Sequence, residues 1–202
     1  MQQLLLGLPK AEMHIHLEGT IEPGTGLELA QMNKIADFPY HSMVEIQQRM
    51  GDAKDRPSFI KVYEQLLSVL RTEADFHEVA MRYFRHTRGQ NVFCVEMFFD
   101  PQMHPTRGIP FATVMAGLNH ARDDAAQFLG LRRGLILCFN RDRSAESAME
   151  HLEMASSELA RTIRSRPASP RKLPRSTRAP QRRASGSPPT ASWTSRTPQK
   201  HP

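Results

Sequence analysis

The stretch LPKAEMHIHLEGT, residues 8–20, carries more information about fold and function than any other part of this 202-residue chain. Apolar and polar side chains alternate along it, which predicts a β-strand over residues 11–17. Alternate residues of a strand point to the same side, so His14 and His16 should share one face, and Glu18 continues their parity. Two imidazoles side by side at the end of a strand form half of a metal site. Two ligands are too few to fix a metal, and a strand with two hydrogen-bonded histidines is the alternative.

The next part of the chain alternates between helical and strand patterns. A turn is predicted over residues 23–26. The predicted elements that follow are helices over 59–70 and 74–88, a strand over 91–99, a helix over 111–129, a strand over 135–139 and a helix over 144–161. Thr72 and Ser144 are the expected N-caps of two of these helices. Strands separated by helices indicate a parallel sheet with right-handed crossovers.

A doubly wound sheet and a TIM barrel both begin in this way. No GxGxxG follows the first strand, which weakens the dinucleotide-binding alternative. Polar residues instead follow the strands, among them Asp100 and residues 140–142. Because TIM barrels place their active sites at the carboxyl ends of the strands, this pattern favours a barrel.

Three segments of the sequence resemble the adenosine and adenine deaminases of the metal-dependent amidohydrolase superfamily. They are LPKAEMHIHLEGT, VEMFFDPQMHPTRG (residues 95–108) and GLILCFNRDRSAE (residues 134–146), and the resemblance extends to about residue 155. The two later segments and the glutamate at position 18 are more similar to the adenine deaminase branch. The resemblance implies an α/β fold that is the N-terminal part, about three β/α units, of a TIM (β/α)₈ barrel. It also implies zinc-dependent hydrolysis of adenine to hypoxanthine and ammonia, with adenosine as the alternative substrate.

The same resemblance assigns roles to a few residues. His14 and His16 correspond to two of the zinc ligands, and Glu18 corresponds to a position near the substrate. A strand-end carboxylate held by backbone N–H groups is the alternative for Glu18. The family's remaining ligands and its proton-donating glutamate come from later strands, and no segment of this chain matches them. We therefore assign no catalytic residue here, expect the truncated chain to be inactive alone, and expect that a separate C-terminal half could complement it.

Other histidines are predicted to be ordinary. His104 follows the second strand on a loop at the active face, and we interpret it as a solvated residue, with a pocket-lining position as the alternative. The histidines at positions 77, 86, 120 and 151 fall in predicted helices, where surface or partly buried positions are expected.

Charge is distributed unevenly along the chain. Residues 1–160 hold 16 Lys and Arg and all 21 Asp and Glu, whereas residues 161–202 hold 11 Lys and Arg, no acidic residue and 8 of the 15 prolines. A segment of this composition buries too little apolar surface to offset the entropy of ordering its backbone. We therefore predict a partial barrel domain over 1–160 and a disordered basic tail over 161–202.

Three interpretations of this tail are open. It could be a basic arm that binds nucleic acid by neutralising phosphates, although only Trp193 is available to stack on bases. It could be a regulatory or localising extension. It could also be an out-of-frame translation of a gene that encoded the rest of the barrel. We favour the last, because acidic residues and apolar periodicity both stop where a fourth strand is expected.

The remaining composition points to a soluble, cytoplasmic domain. The two cysteines, Cys94 and Cys138, lie apart in apolar runs and are interpreted as core thiols of a reducing compartment. Neither a signal peptide nor a transmembrane run is evident. The expected partner is a small-molecule purine base or nucleoside, with no membrane and with nucleic acid disfavoured.

Overall fold

Three parallel strands form one sheet in a computed structural model of the chain, which describes residues 2–165 and the side chains of 4–158. Predictions about residues 166–202, including most of the basic tail, lie outside the described residues. The strands are β1 (Lys10–His16), β2 (Val92–Phe99) and β3 (Arg132–Leu137), in the spatial order β1-β2-β3. β2 pairs in parallel with both neighbours. The parallel arrangement predicted from the order of elements is confirmed.

Helices connect these strands at close to the predicted positions. The helices of the described segment are α1 (Gln2–Gly7), α2 (Pro23–Met32), α3 (Met43–Asp52), α4 (Arg56–Leu67), α5 (Glu73–Gly89), α6 (Phe111–Leu129) and α7 (Ala145–Ser165). Thr72 caps α5 as predicted, because its side chain accepts a hydrogen bond from the backbone N–H of Asp75. Ser144 accepts one from the backbone N–H of Ser147 at the start of α7. None of these helices is both long and apolar enough to cross a membrane.

The core lies where α5 and α6 pack against each other and against the sheet. Its largest fully buried side chains include Phe76, Phe84, Met97 and Leu118. Gly117 allows the two helices to approach closely, because a Cβ atom there would lie 2.5 Å from the carbonyl oxygen of Glu73. The contact between α5 and α6 is therefore fixed by backbone atoms as well as by side chains.

Several predicted boundaries differ from the structure. The helix predicted over 59–70 is Arg56–Leu67, and the strand predicted over 135–139 is Arg132–Leu137. Residues 23–26 begin α2 instead of forming a turn. Pro23 is at the first helical position, where its missing N–H costs nothing. Gly26 is buried, and a Cβ atom there would lie 3.0 Å from Cδ2 of Leu66 on α4. The glycine thus serves close packing between helices. At the other end, α7 continues to Ser165, beyond its expected end near residue 161.

Candidate active site

Strand β1 is irregular at the first of the two predicted metal-binding histidines. The register with β2 shifts between Met13 and Ile15, and His14, which lies between them, has a φ of 65°. This left-handed conformation is uncommon for a residue other than glycine. Met13 and His14 are consequently both exposed. Strict alternation, which was the basis for placing the two histidines on one face, does not hold in this strand.

The two histidines are nevertheless neighbours, because both rings contact one aromatic side chain. The ring centroids of His14 and His16 are 5.9 Å apart. The ring of Phe98, on β2, lies 4.9 Å from the first and 5.3 Å from the second. β-bulges commonly redirect side chains next to functional sites. Here the bulge and Phe98 together bring the imidazoles to the carboxyl end of the sheet.

His16 is oriented by a carboxylate at the end of β2. Its Nδ1 lies 2.8 Å from Oδ2 of Asp100, which can only accept when ionised, so Nδ1–H donates. The hydroxyl of Tyr63 donates to the same oxygen over 3.2 Å. In the neutral ring, Nε2 is then left with a lone pair. Metal-binding histidines usually have this arrangement, with the second nitrogen bonded to a carboxylate. His16 therefore fits a metal ligand.

The thiol of Cys138 lies close to His16 and Asp100. His16, Asp100 and Cys138 offer ligand atoms that all lie within 4.8 Å of one another. Burial, and then a hydrogen bond to Asp100, raises the pKa of Cys138 to about 11. Burial also raises the pKa of Tyr63, with Glu18 and Asp100 adding to the effect. Both side chains therefore keep their protons at neutral pH and act as donors towards Asp100. Both cysteines are free and half-buried, so they are less enclosed than expected.

Glu18, two residues after His16, is 1 % exposed. Its Oε1 accepts hydrogen bonds from the backbone N–H of Asp100, at 2.9 Å, and from Nε2 of His104, at 3.1 Å. Its Oε2 is buried without a hydrogen-bond partner among the described residues. One oxygen thus behaves as the strand-end carboxylate that was the alternative interpretation. The other is available, so the predicted contact with substrate stays a prediction.

The prediction that His104 is solvated is wrong. Its side chain is fully buried, because two short 3₁₀ turns, Pro101–Met103 and Pro105–Arg107, fold the loop inward. The guanidinium of Arg107 donates to Nδ1 of His104. A guanidinium cannot accept, so the ring proton is on Nε2 and points at Glu18. Burial lowers the pKa of Arg107 to about 10, helped by Arg71 and opposed by Glu18.

A pocket of about 660 Å³, which is within the usual range for small-molecule sites, lies at the histidines. Glu18, His104 and Arg107 are not among its lining residues. His14, His16, Tyr63 and Asp100 lie on its walls, together with residues that follow β3. Among the latter, Asp142 forms an ion pair with Arg56 over 3.0 Å. Asp100 and residues 140–142, which follow separate strands, therefore meet His14 and His16 at one pocket.

Two contributors were missed by the sequence argument. Tyr63 belonged to the apolar face of a predicted helix, and nothing in that pattern indicated that its hydroxyl reaches Asp100. Arg107 had no signal other than its place on the loop after β2. Both reach the site through tertiary packing.

The family of the chain follows from its match to a family model. Residues 9–166 match the model described as adenosine deaminase. The chain belongs to this family. Its relatives include the adenine deaminase of Bordetella parapertussis, 46% identical over 155 residues, which are 77% of this chain and 48% of the relative. The adenine deaminase of Vibrio parahaemolyticus is 43% identical over 153 residues, 76% of this chain and 45% of the relative. The chain spans about half the length of these curated relatives.

Solved structures agree with this assignment. The adenine deaminase of Arthrobacter aurescens superimposes with a TM-score of 0.71 and 32% identity, covering 75% of this chain and 46% of that one. A zinc-bound amidohydrolase from Burkhoderia ambifaria superimposes with a TM-score of 0.67 at 24% identity, covering 77% of this chain and 42% of that one. At this identity it supports the fold alone. The described residues form the N-terminal part of a TIM barrel, as predicted, and the family is one of aminohydrolases.

Proposed function

We propose that this chain supplies the first-strand part of the zinc site of an enzyme that hydrolyses adenine to hypoxanthine and ammonia in purine salvage. The observation that carries the proposal is the pairing of His14 and His16 at the carboxyl end of the sheet, with Asp100 orienting the second ring. This arrangement fits Zn²⁺ with His14 and His16 as ligands, because imidazole nitrogens suit zinc and a carboxylate fixes the tautomer of the ring.

When bound, zinc supplies a water that is acidic enough to act as a nucleophile at neutral pH. The residues of this chain orient the ligands and contact the substrate. Asp100 holds the ring of His16, and Tyr63 shares that carboxylate, so the imidazole cannot rotate freely. The ring of Phe98 contacts both histidine rings. Glu18 keeps a buried carboxylate oxygen without a partner next to this group, and we assign it to the substrate.

Adenine is the substrate we favour over adenosine. The first support is that the matched relatives, at 43–46% identity, are adenine deaminases. The second is the glutamate at position 18, where adenosine deaminases typically carry aspartate. Fold does not choose a substrate by itself.

A protein limited to these 202 residues should have negligible activity. Two histidines do not hold a catalytic zinc ion tightly, since such sites use three protein ligands. The family's proton donor has no match here. Ammonia release from adenine by the purified 202-residue chain, with added zinc, should therefore stay at background, and zinc-dependent release would contradict this part of the proposal.

A chimaera tests the histidines. Residues 9–165 of this chain replace the aligned part of the Bordetella parapertussis adenine deaminase, and ammonia release is measured with adenine and with adenosine. We expect zinc-dependent release that prefers adenine. His16→Ala in the chimaera should abolish it, whereas His86→Ala, an exposed helical histidine, should leave it unchanged.

Three outcomes would change the proposal. A folded, zinc-treated chimaera without activity would overturn it. A preference for adenosine would favour the alternative substrate. Activity when the full 202-residue chain is co-expressed with the separate C-terminal half of the relative would show that the two halves complement each other.

A further inference from the structure

A second group of metal-binding side chains lies on two neighbouring helices and shares no residue with the candidate active site. Glu73 and His77 are one turn apart on α5, and His120 and Asp124 are one turn apart on α6. Residues at i and i+4 lie on the same helix face. Each helix therefore presents one histidine and one carboxylate, and the two pairs face each other.

The distances across the two helices are short. Nε2 of His77 lies 2.9 Å from Oδ2 of Asp124. The rings of His77 and His120 have centroids 4.6 Å apart. Nε2 of His120 lies 4.0 Å from the same Asp124 oxygen, and its Nδ1 lies 3.9 Å from Oε1 of Glu73. The ligand atoms of His77, His120 and Asp124 all lie within 4.8 Å of one another.

The backbone holds the two helices at this spacing. Gly117 lies one turn before His120 and packs against the first turn of α5, where a Cβ atom would meet the carbonyl oxygen of Glu73 at 2.5 Å and Cβ of Phe76 at 2.7 Å. The two sets of side chains are therefore presented by elements that cannot drift apart without breaking the core. Preorganised ligands lose little entropy when they bind an ion.

We propose that His77, His120 and Asp124 bind a divalent transition-metal ion of the zinc class, with Glu73 or a water as the fourth ligand. Zinc takes nitrogen and carboxylate ligands at about 2.0–2.2 Å in a tetrahedron, which places ligand atoms about 3.3 Å apart. The observed separations bracket this value. His77 and Asp124 are partly covered, at 22% and 26% side-chain exposure, whereas His120 is 62% exposed and free to rotate by the small amount required. The bound ion would link the two helices that precede and follow β2 in the chain.

Without an ion, the contact between His77 and Asp124 is an ordinary cross-helix hydrogen bond. The two interpretations differ in what His120 does. A hydrogen-bonded pair needs only His77 and Asp124, whereas a metal site needs His120 as well. Removing the exposed His120 therefore separates them, and it leaves the covered pair in place.

The experiment is equilibrium dialysis of the full 202-residue chain against Zn²⁺, in a His14→Ala/His16→Ala background that removes the candidate active-site ligands. His120→Ala and Asp124→Asn are compared with His86→Ala, a control that removes an exposed histidine from α5. We expect one ion to bind in the background and in the control. Each test variant should bind it at least about tenfold more weakly. Zinc should also raise the melting temperature of the control and not that of His120→Ala.

Equal zinc affinity in His120→Ala and His86→Ala would overturn the proposal, as would the absence of zinc binding in the background protein. If the background variant fails to fold, the same comparison is made with His14 and His16 retained. The number of bound ions should then fall by one in His120→Ala, and an unchanged number would overturn the proposal.

Discussion

His14 and His16 lie two residues apart in one strand, whereas His77 and His120 lie on two different helices. We call the first pair with Asp100 the strand cluster, and the second pair with Asp124 the helix cluster. The first pair is visible in the sequence as a motif, yet its geometry depends on a bulge, on Phe98 and on Asp100. The second pair has no sequence signature, yet it needs only two regular helices packed at the spacing that Gly117 permits. A motif in the sequence and a preformed cluster in the structure are thus separate properties.

The largest expected effect is the loss of stability in Glu18→Ala, which changes the surroundings of the strand cluster. The change removes the acceptor for two buried donors, the Asp100 backbone N–H and His104 Nε2–H, and leaves Arg107 without its nearby carboxylate. We expect the free energy of unfolding to fall by about 3–5 kcal/mol, measured by urea denaturation. The exposed Glu64→Ala should change it by no more than about 0.5 kcal/mol. A Glu18→Ala protein as stable as Glu64→Ala would contradict this structural role of the buried carboxylate.

Gly117→Ala should act on the helix cluster. Its methyl group would meet the backbone of α5, and overpacking of this kind costs about 1–3 kcal/mol. Gly89→Ala is the control, because a Cβ atom there meets nothing within 4 Å. The contact between the two helices should shift, so the zinc affinity of His77, His120 and Asp124 should fall. Equal stability of the two alanine variants in denaturation would contradict the close approach.

Asp100→Asn should weaken zinc binding by the strand cluster. The amide orients the ring of His16 less strongly than the carboxylate, and partners of this kind are worth about 10–100-fold in metal affinity. Zinc binding measured in the chimaera should show this loss. Asp142→Asn, an exposed pocket residue paired with Arg56, is the matched control and should retain affinity. An unaffected Asp100→Asn variant would indicate that His16 is held by packing alone.

The smallest effect should come from Thr72→Ala at the start of α5. The threonine hydroxyl caps a backbone N–H, and loss of such a cap costs about 1 kcal/mol. Thermal unfolding should detect this, with the exposed Thr106→Ala as a neutral comparison. Zinc binding by the helix cluster should persist, since the cap precedes its ligands. A loss of zinc binding would mean that the cluster depends on the first turn of α5.

Local patterns were enough to predict the parallel sheet, most element boundaries and the family. Thr72, Ser144 and the alternating stretch of β1 act through neighbours in the chain, so a sequence reveals them. The pattern was misleading where a local signal met a packing requirement. Pro23 and Gly26 predict a turn, but they lie in a helix. Glycine suits that helix because Leu66 leaves little room for a Cβ atom at position 26.

The sequence by itself determined that two histidines and a carboxylate would end the first strand of a partial barrel. Only the tertiary structure decided what surrounds them: the bulge at His14, the orientation of His16 by Asp100, and the burial of His104 between Glu18 and Arg107. It alone also brought His77 to His120. The physical reason is range. Strand alternation and helix capping arise between residues a few positions apart, whereas hydrogen bonds to buried groups and contacts between helices depend on which distant segments the core brings together.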